Sequence, residues 1–508
     1  MIVRQTSMGS MGRSCGVLLH ISSLPSRWGI GDLGRGADLF LDFLCSSRQS
    51  LWQILPLPPT DPGQGNSPYS SFSAFGGNPL FISPELLVKD GLLELSDLDS
   101  HEPLSMKACD HAGSARIKRS LLQRAYKRFA SSEDSEYYLF CEKNGHWLDD
   151  LALFLSLKRH LGGVPWCEWP APLRDREEKA LAEAREQLAD KIGYARFLQY
   201  VFERQWGRLK RVCREKGISV IGDVPVYVSH DSADVWAHRE LFDLDPTGRA
   251  KKVAGVPPDY FSESGQRWGN PVYRWDMLEK EGFWWWIRRL SNALSLFDMV
   301  RIDHFRGLVK FWSIPSSERS AIDGEWVEAS PDAFFLRVKE NFPAMPFIAE
   351  DLGYITPDVK DYIRRLGIRK TLVLQFAFGD DLEKSPYAPA NHIENACVYT
   401  GTHDNNTTRG WFESEATPLM RSQLNEIAGH KVTPETVSMD MISIAMASKA
   451  SMTVYPMQDV LGLGQEARLN TPGKPSGNWL WRLEERQLED APVEKLAEMT
   501  ARFGREAR

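Results

Sequence analysis

Residues 296–303, Leu296-Phe297-Asp298-Met299-Val300-Arg301-Ile302-Asp303, form an apolar run that closes on charge, and His304-Phe305-Arg306-Gly307 follow directly. A short run of this composition reads as a buried strand. Burying an acid beside two arginines and a histidine is expensive unless solvent or partners reach them, so the cluster belongs at the rim of a pocket. Taken alone, it reads equally as a structural ion pair at a strand end, because structural networks perturb charged groups as readily as catalysis does. Three more strand-like runs end the same way, and their agreement favours a functional site.

Working outward, similar β-branched and apolar runs recur at 16–21, 51–57, 218–226, 346–350, 371–376, 396–400 and 452–456, often with helical pattern between them. Parallel strands joined by helical crossovers account for that alternation. With 296–303 the runs number eight, which closes a (β/α)8 TIM barrel, so the expected class is α/β with large insertions between strands 2 and 3 and between strands 3 and 4. The whole chain, 1–508, reads as one barrel unit. Residues 58–216 are too many for one crossover and read as a mainly helical insertion, in which Leu173 to Lys191 is charged enough for a solvated helix. Residues 229–276, rich in Gly, Pro and aromatics, read as an ordered loop, and 484–508 as a closing helix with a frayed end from Arg502.

Composition removes several function classes. The 61 basic and 68 acidic residues give a net charge of −7 without a basic stripe, so a nucleic-acid partner is not expected. Seven cysteines with no CxxC pair argue against a disulfide framework and for a reducing compartment. The apolar run Val17-Leu18-Leu19 is too short for a signal-peptide core and no stretch approaches a membrane span, so a cytoplasmic protein with no membrane partner is expected. Seventeen tryptophans hint at carbohydrate, whose C–H faces stack on aromatic rings. The run Trp284-Trp285-Trp286 is set apart from that hint, because Phe283, Ile287, Leu290 and Leu294 fall at helical spacing and mark a packed face.

In such a barrel the active site lies at the C-terminal ends of the strands. There the sequence offers Asp223-Val224-Pro225-Val226, Arg301-Ile302-Asp303, Glu350-Asp351-Leu352-Gly353 and Thr402-His403-Asp404-Asn405-Asn406. No Cys/His metal spacing, glycine-rich phosphate loop or G-x-S-x-G elbow accompanies them, so neither metal nor cofactor is expected. Cleavage at an acetal centre is chemistry that a carboxylate pair performs unaided.

These segments resemble those of the amylomaltases, the 4-α-glucanotransferases of glycoside hydrolase family 77 in the α-amylase clan. The resemblance runs from Gly16-Val17-Leu18-Leu19-His20-Ile21-Ser22-Ser23-Leu24-Pro25, through Ser67-Pro68-Tyr69-Ser70-Ser71-Phe72-Ser73-Ala74-Phe75, to Gln458-Asp459-Val460-Leu461-Gly462-Leu463-Gly464. It implies Asp303 as the nucleophile, Glu350 as acid and then base, and Asp404 as the group that binds sugar hydroxyls and stabilises the charged ring. It further implies that Asp223 and His403 bind the same glucose, that Tyr69 stacks on it, and that Arg301, on the face of Asp303, keeps the nucleophile ionised. Asp351 is expected to be a structural hydrogen-bonding partner, and His304 and Arg306 supporting charges. In α-amylase relatives an asparagine and a histidine, the former associated with calcium, stand where this chain has Tyr227 and Val228, so a calcium site is not expected.

The same resemblance implies that the loop 255–271 arches over the cleft on the acceptor side, with Tyr260 and Trp268 contacting substrate. Its prolines stiffen it, and a stiff aromatic loop suits a transferase, which must hold a sugar acceptor against competing water. The expected activity is transfer of α-1,4-glucan segments among maltooligosaccharides and glycogen- or starch-derived glucans. The alternatives are a retaining α-glucan hydrolase and an inactive glucan-binding protein.

Overall fold

The computed structural model describes residues 12–130, 134–258, 263–474 and 476–506. Twelve strands follow in chain order: β1 (Ser14–Leu18), β2 (Leu51–Gln53), β3 (Ser219–Pro225), β4 (Lys252–Val256), β5 (Gln266–Pro271), β6 (Met299–Asp303), β7 (Lys310–Pro315), β8 (Glu325–Glu328), β9 (Phe347–Ala349), β10 (Arg369–Val373), β11 (Ala396–Tyr399) and β12 (Met452–Pro456). Eight of them, β1, β2, β3, β6, β9, β10, β11 and β12, pair in parallel in that order, and β12 returns to β1 to close a (β/α)8 barrel. All eight expected runs are barrel strands. The observed strands are mostly shorter than the apolar runs, because residues at one or both ends of most runs leave the ladder for the loops.

The barrel interior is filled by side chains that include Leu18, Leu51, Ile221, Met299, Ile348, Val373, Tyr399 and Val454. Residues on the other face of each strand pack outward on helices. Gly222 illustrates the fit: a β-carbon there would lie 2.0 Å from the Phe297 ring, so this glycine lets the following crossover lie flat on β3.

Between β2 and β3 stand three long helices, His111–Phe129, Ser135–His160 and Ala189–Glu215. Their apolar faces join the same core cluster as the outer barrel. Trp206 from the last of them donates its indole N–H to the Leu296 carbonyl at 3.1 Å. The segment expected as one solvated helix, Leu173 to Lys191, is broken into Ala171–Arg174, Glu178–Gln187 and the start of the Ala189 helix, with Arg176 left-handed at φ 60°. The charge pattern reported exposure correctly but not the turn. In the helix Trp284–Leu296, Trp285, Trp286, Ile287 and Leu290 are buried while Trp284 is exposed.

Two expectations are corrected. Residues 229–276, expected as loop, carry β4 and β5, which pair antiparallel and join β7 and β8 in a four-stranded sheet outside the barrel. These strands are short and contain glycine and exposed polar residues, so apolar runs do not mark them. The C-terminal stretch forms two helices, Glu485–Glu489 and Val493–Arg502, and residues 503–506 are anchored rather than frayed, while 507–508 lie outside the described residues. Arg505 is fully buried and donates to the backbone carbonyls of Met446, Ser14, Ser448 and Ala450. It thereby ties the segment after the last helix to the bottom of β1 and to the approach to β12.

No described helix is long and apolar enough to cross a membrane. Replacing Arg505 with Met is expected to lower stability by roughly 2–5 kcal/mol, because buried carbonyls lose their donors. Arg502→Met, at an exposed position, is expected to stay within about 0.5 kcal/mol. Denaturant midpoints of the two variants check the contrast, and equal midpoints would refute the anchoring role.

Candidate active site

The register of β3 against β6 sets Asp223 beside Arg301 and Pro225 beside Asp303. Two-residue periodicity then puts Arg301 and Asp303 on one face. The Arg301 guanidinium accordingly lies between two carboxylates, its Nη1 donating to Asp223 Oδ2 at 2.7 Å and to Asp303 Oδ1 at 2.9 Å. Arg301 and Asp223 are buried, whereas the Asp303 side chain is 27% exposed, so one carboxylate of the three-member cluster is open to a ligand.

The cluster extends through Tyr69, which reaches the barrel mouth on the segment after β2. Its hydroxyl donates to Asp223 Oδ2 at 2.8 Å and lies 2.9 Å from His403 Nε2. With its proton given to Asp223, the tyrosine oxygen is left to accept from the imidazole, which makes His403 the Nε2–H tautomer. The two rings stack at 5.2 Å, and Trp479 lies 6.0 Å from each. Burial lowers the His403 pKa, against the pull of the Asp404 and Asp303 carboxylates. Asp223 Oδ1 and His403 Nδ1 are buried without a protein partner among the described residues.

Glu350 follows β9 and is held by the backbone. The His304 N–H donates to its Oε2 at 2.7 Å and the Leu352 N–H to its Oε1 at 2.9 Å. Burial, reinforced by the Asp303 charge, raises its pKa to about 8, while Arg301 and the two N–H groups oppose the rise. Burial likewise pushes the Asp223 carboxyl up, against the pull of Arg301. Asp404 is fixed from the far side: Asn470 Nδ2 donates to its Oδ1 at 2.5 Å, Arg468 holds its backbone carbonyl at 2.8 Å, and His403 Nε2 is 3.4 Å from its Oδ2.

The fold thus brings Tyr69, Asp223, Arg301, Asp303, Glu350, His403 and Asp404 to one end of the barrel. Trp268 is exposed on β5 and its ring meets His304 edge-on at 4.8 Å. Tyr260 lies outside the described residues. Asp351 turns away from Glu350 and accepts from the Thr371 N–H at 2.9 Å. His304 is not a supporting charge, because burial lowers its pKa to about 4. Arg306 is spent on the Trp326 face, 3.7 Å from the ring centroid. Sequence reasoning missed Arg468, Asn470 and Trp479. They stand beyond the last strand in a segment with no periodic pattern, and only the Gln458 to Gly464 resemblance pointed to that neighbourhood. Among the described residues no group of three or more His, Cys, Asp or Glu is placed to hold a metal ion.

The family described as 4-alpha-glucanotransferase matches residues 19–488. A 4-alpha-glucanotransferase of Thermus thermophilus is 48% identical over 97% of this chain and 99% of its own length. One of Aquifex aeolicus is 45% identical over 93% of this chain and 96% of its own. Among solved structures, the amylomaltase from Streptococcus agalactiae in complex with acarbose superposes with a TM-score of 0.94 at 37% identity, covering 97% of this chain and 100% of that one.

A carboxyl whose pKa is raised carries its proton below that value and loses it as pH rises through it. Infrared difference titration is therefore expected to show a protonated-carboxyl band that disappears near pH 8 and is missing from Glu350→Gln. A titration unchanged in that variant would assign the band elsewhere.

Proposed function

This chain belongs to the 4-alpha-glucanotransferase family, and we propose that it transfers α-1,4-glucan segments between maltooligosaccharides or glycogen- and starch-derived glucans by a retaining double displacement. The observation that carries the mechanism is the contrast between two neighbouring carboxyls. Asp303 is partly open and charge-paired with Arg301, which suits a nucleophile. Glu350 is half-buried, held by two backbone N–H groups and raised in pKa, which suits an acid that is protonated at neutral pH.

In the first step Asp303 attacks the anomeric carbon of the donor. The glycosidic C–O bond breaks, and the leaving oxygen takes the Glu350 proton. Positive charge developing on the ring is stabilised by Asp404, which Asn470 and Arg468 hold in place. In the second step Glu350, now a carboxylate, takes the proton of the acceptor's 4-hydroxyl as that oxygen bonds the anomeric carbon and Asp303 departs. Two inversions return the α configuration. Asp223 Oδ1 and His403 Nδ1, the buried atoms without partners, have hydrogen-bonding capacity that sugar hydroxyls would use.

Transfer requires that a sugar outcompete water for the glucosyl-enzyme. Positioning supplies effective molarities up to about 10⁵ M or more, enough to offset the concentration of water. The exposed Trp268 ring, close to the acid through His304, offers a stacking face for that acceptor.

Incubated with maltotriose, the protein is expected to form longer oligomers together with free glucose, resolved by chain length. Steady growth of total reducing ends would instead indicate a hydrolase. Asp303→Asn is expected to abolish turnover while glucan binding persists, and an active variant would reject Asp303 as nucleophile. Glu350→Gln is expected to lose about 10²–10⁴ in rate. The wild-type rate should fall as pH rises through about 8, where the acid loses its proton.

A further inference from the structure

Away from the reacting carboxyls, a cavity of about 390 Å³ lies against the segment that carries Tyr69, and none of the seven cluster residues lines it. Three elements meet around it: the helix Ser135–His160, the short helix Ala233–Ala237 after β3, and the helix Trp284–Leu296. One wall is aromatic. The Phe75 and Trp147 rings stack at 6.3 Å, and Trp285 meets Phe75 edge-on at 6.1 Å. Trp284 stands at the rim, 48% exposed.

Polar groups are interleaved with these rings. Asp234 is buried and gives its Oδ2 to the Ala74 N–H at 2.7 Å, while Glu281 gives its Oε1 to the Trp285 N–H at 3.1 Å. Each carboxylate thus has one oxygen engaged by the protein and keeps capacity to accept on the other. The Trp285 indole N–H is buried without a partner among the described residues, and Arg288 adds donors at the rim. Aromatic walls with a few convergent polar groups are the make-up of a small-molecule site.

The lining selects the ligand class. Asp150, Asp234 and Glu281 against one arginine disfavour an anion. An organic cation has nothing to accept with, so the indole N–H and Arg288 would go unused or repel it. A neutral ring whose hydroxyls both donate and accept uses every group, and its C–H faces lie on the aromatic rings.

We propose that this cavity is a second saccharide site that takes a free pyranose, and that its occupancy is transmitted to Tyr69. The wall residues Ser73 and Phe75 end the segment that Tyr69 begins. Ser71 Oγ donates to the Ser73 carbonyl at 2.7 Å, Ser73 Oγ accepts from the Phe75 and Gly76 N–H groups at 3.1 Å, and Asn292 of the Trp284 helix donates to the Phe75 carbonyl at 3.1 Å. A pyranose held by Asp234 and the Phe75 face therefore restrains a chain whose other end sets the Tyr69 hydroxyl on Asp223 at 2.8 Å. Neither the site nor the coupling requires the double displacement.

Glucose has no glycosidic bond to cut, so the full-length wild-type chain binds it without turnover. With the tryptophans replaced by 5-fluorotryptophan and assigned by single Trp→Phe variants, glucose is expected to shift the fluorine resonances of Trp147 and Trp285 saturably. Trp479, 6.0 Å from the Tyr69 ring, is expected to show a component with the same midpoint. Ala237→Phe, which fills the cavity, should remove both responses while maltotriose turnover persists. Trp284→Ala, at an exposed position, should raise the midpoint about tenfold.

Trp147 and Trp285 resonances that stay still while Trp479 saturates would confine glucose to the barrel mouth and overturn the site, as would an unchanged midpoint in Trp284→Ala or a response that survives Ala237→Phe. Shifts with inorganic phosphate or putrescine and none with glucose would overturn the ligand class. A response of Trp147 and Trp285 with no matching component at Trp479 would overturn the coupling to Tyr69.

Discussion

The Arg301 guanidinium, buried between Asp223 and Asp303, is the interaction on which the rest of the site depends. Three charged groups at the mouth of an apolar barrel would each be costly alone, and the arginine fork allows them to coexist by satisfying two carboxylates at once. The arrangement follows from strand register, because β3 and β6 set Asp223 opposite Arg301 and the two-residue period of β6 sets Asp303 on the same face. Everything outward from it is recruited to unpaired valences: Tyr69 to Asp223, His403 to Tyr69, and Trp479 to both rings.

Two carboxyls in one site acquire different chemistry because they are held by different things. Asp303 has a guanidinium and access to solvent. Glu350 has two backbone N–H groups, a desolvating setting and a neighbouring negative charge, and its pKa rises to about 8. The division of labour between proposed nucleophile and proposed acid is thus a division of environments. The outer sheet of β4, β5, β7 and β8 adds a further level, since it brings the exposed Trp268 to the same mouth and rests it on His304.

The legibility of these parts in the sequence followed the physics that makes each. Barrel strands were readable because burial on both faces writes an uninterrupted apolar run, and their terminal acids were readable because charge at the end of such a run is conspicuous. The seven residues of the cluster were named on that basis and on family resemblance. The outer strands were not readable, since half-exposed edges with glycine leave no such run. Asn470 and Arg468 were missed because they act through Asp404 from a loop about 65 positions away in the chain. Arg505 was read as part of a fraying end because a buried arginine and an exposed one look alike until the carbonyls around it are known.

The sequence by itself determined the barrel, its order and the identity of its strand-end acids, because periodicity and burial are local consequences of side-chain chemistry. Only the tertiary structure decided which acid pairs with a guanidinium and which is held by backbone N–H groups with its pKa raised, that His304 is neutral and left-handed, and that Trp268 stands on it. Desolvation, register and ring contact are properties of neighbours brought together across the fold, and no single stretch of chain carries them.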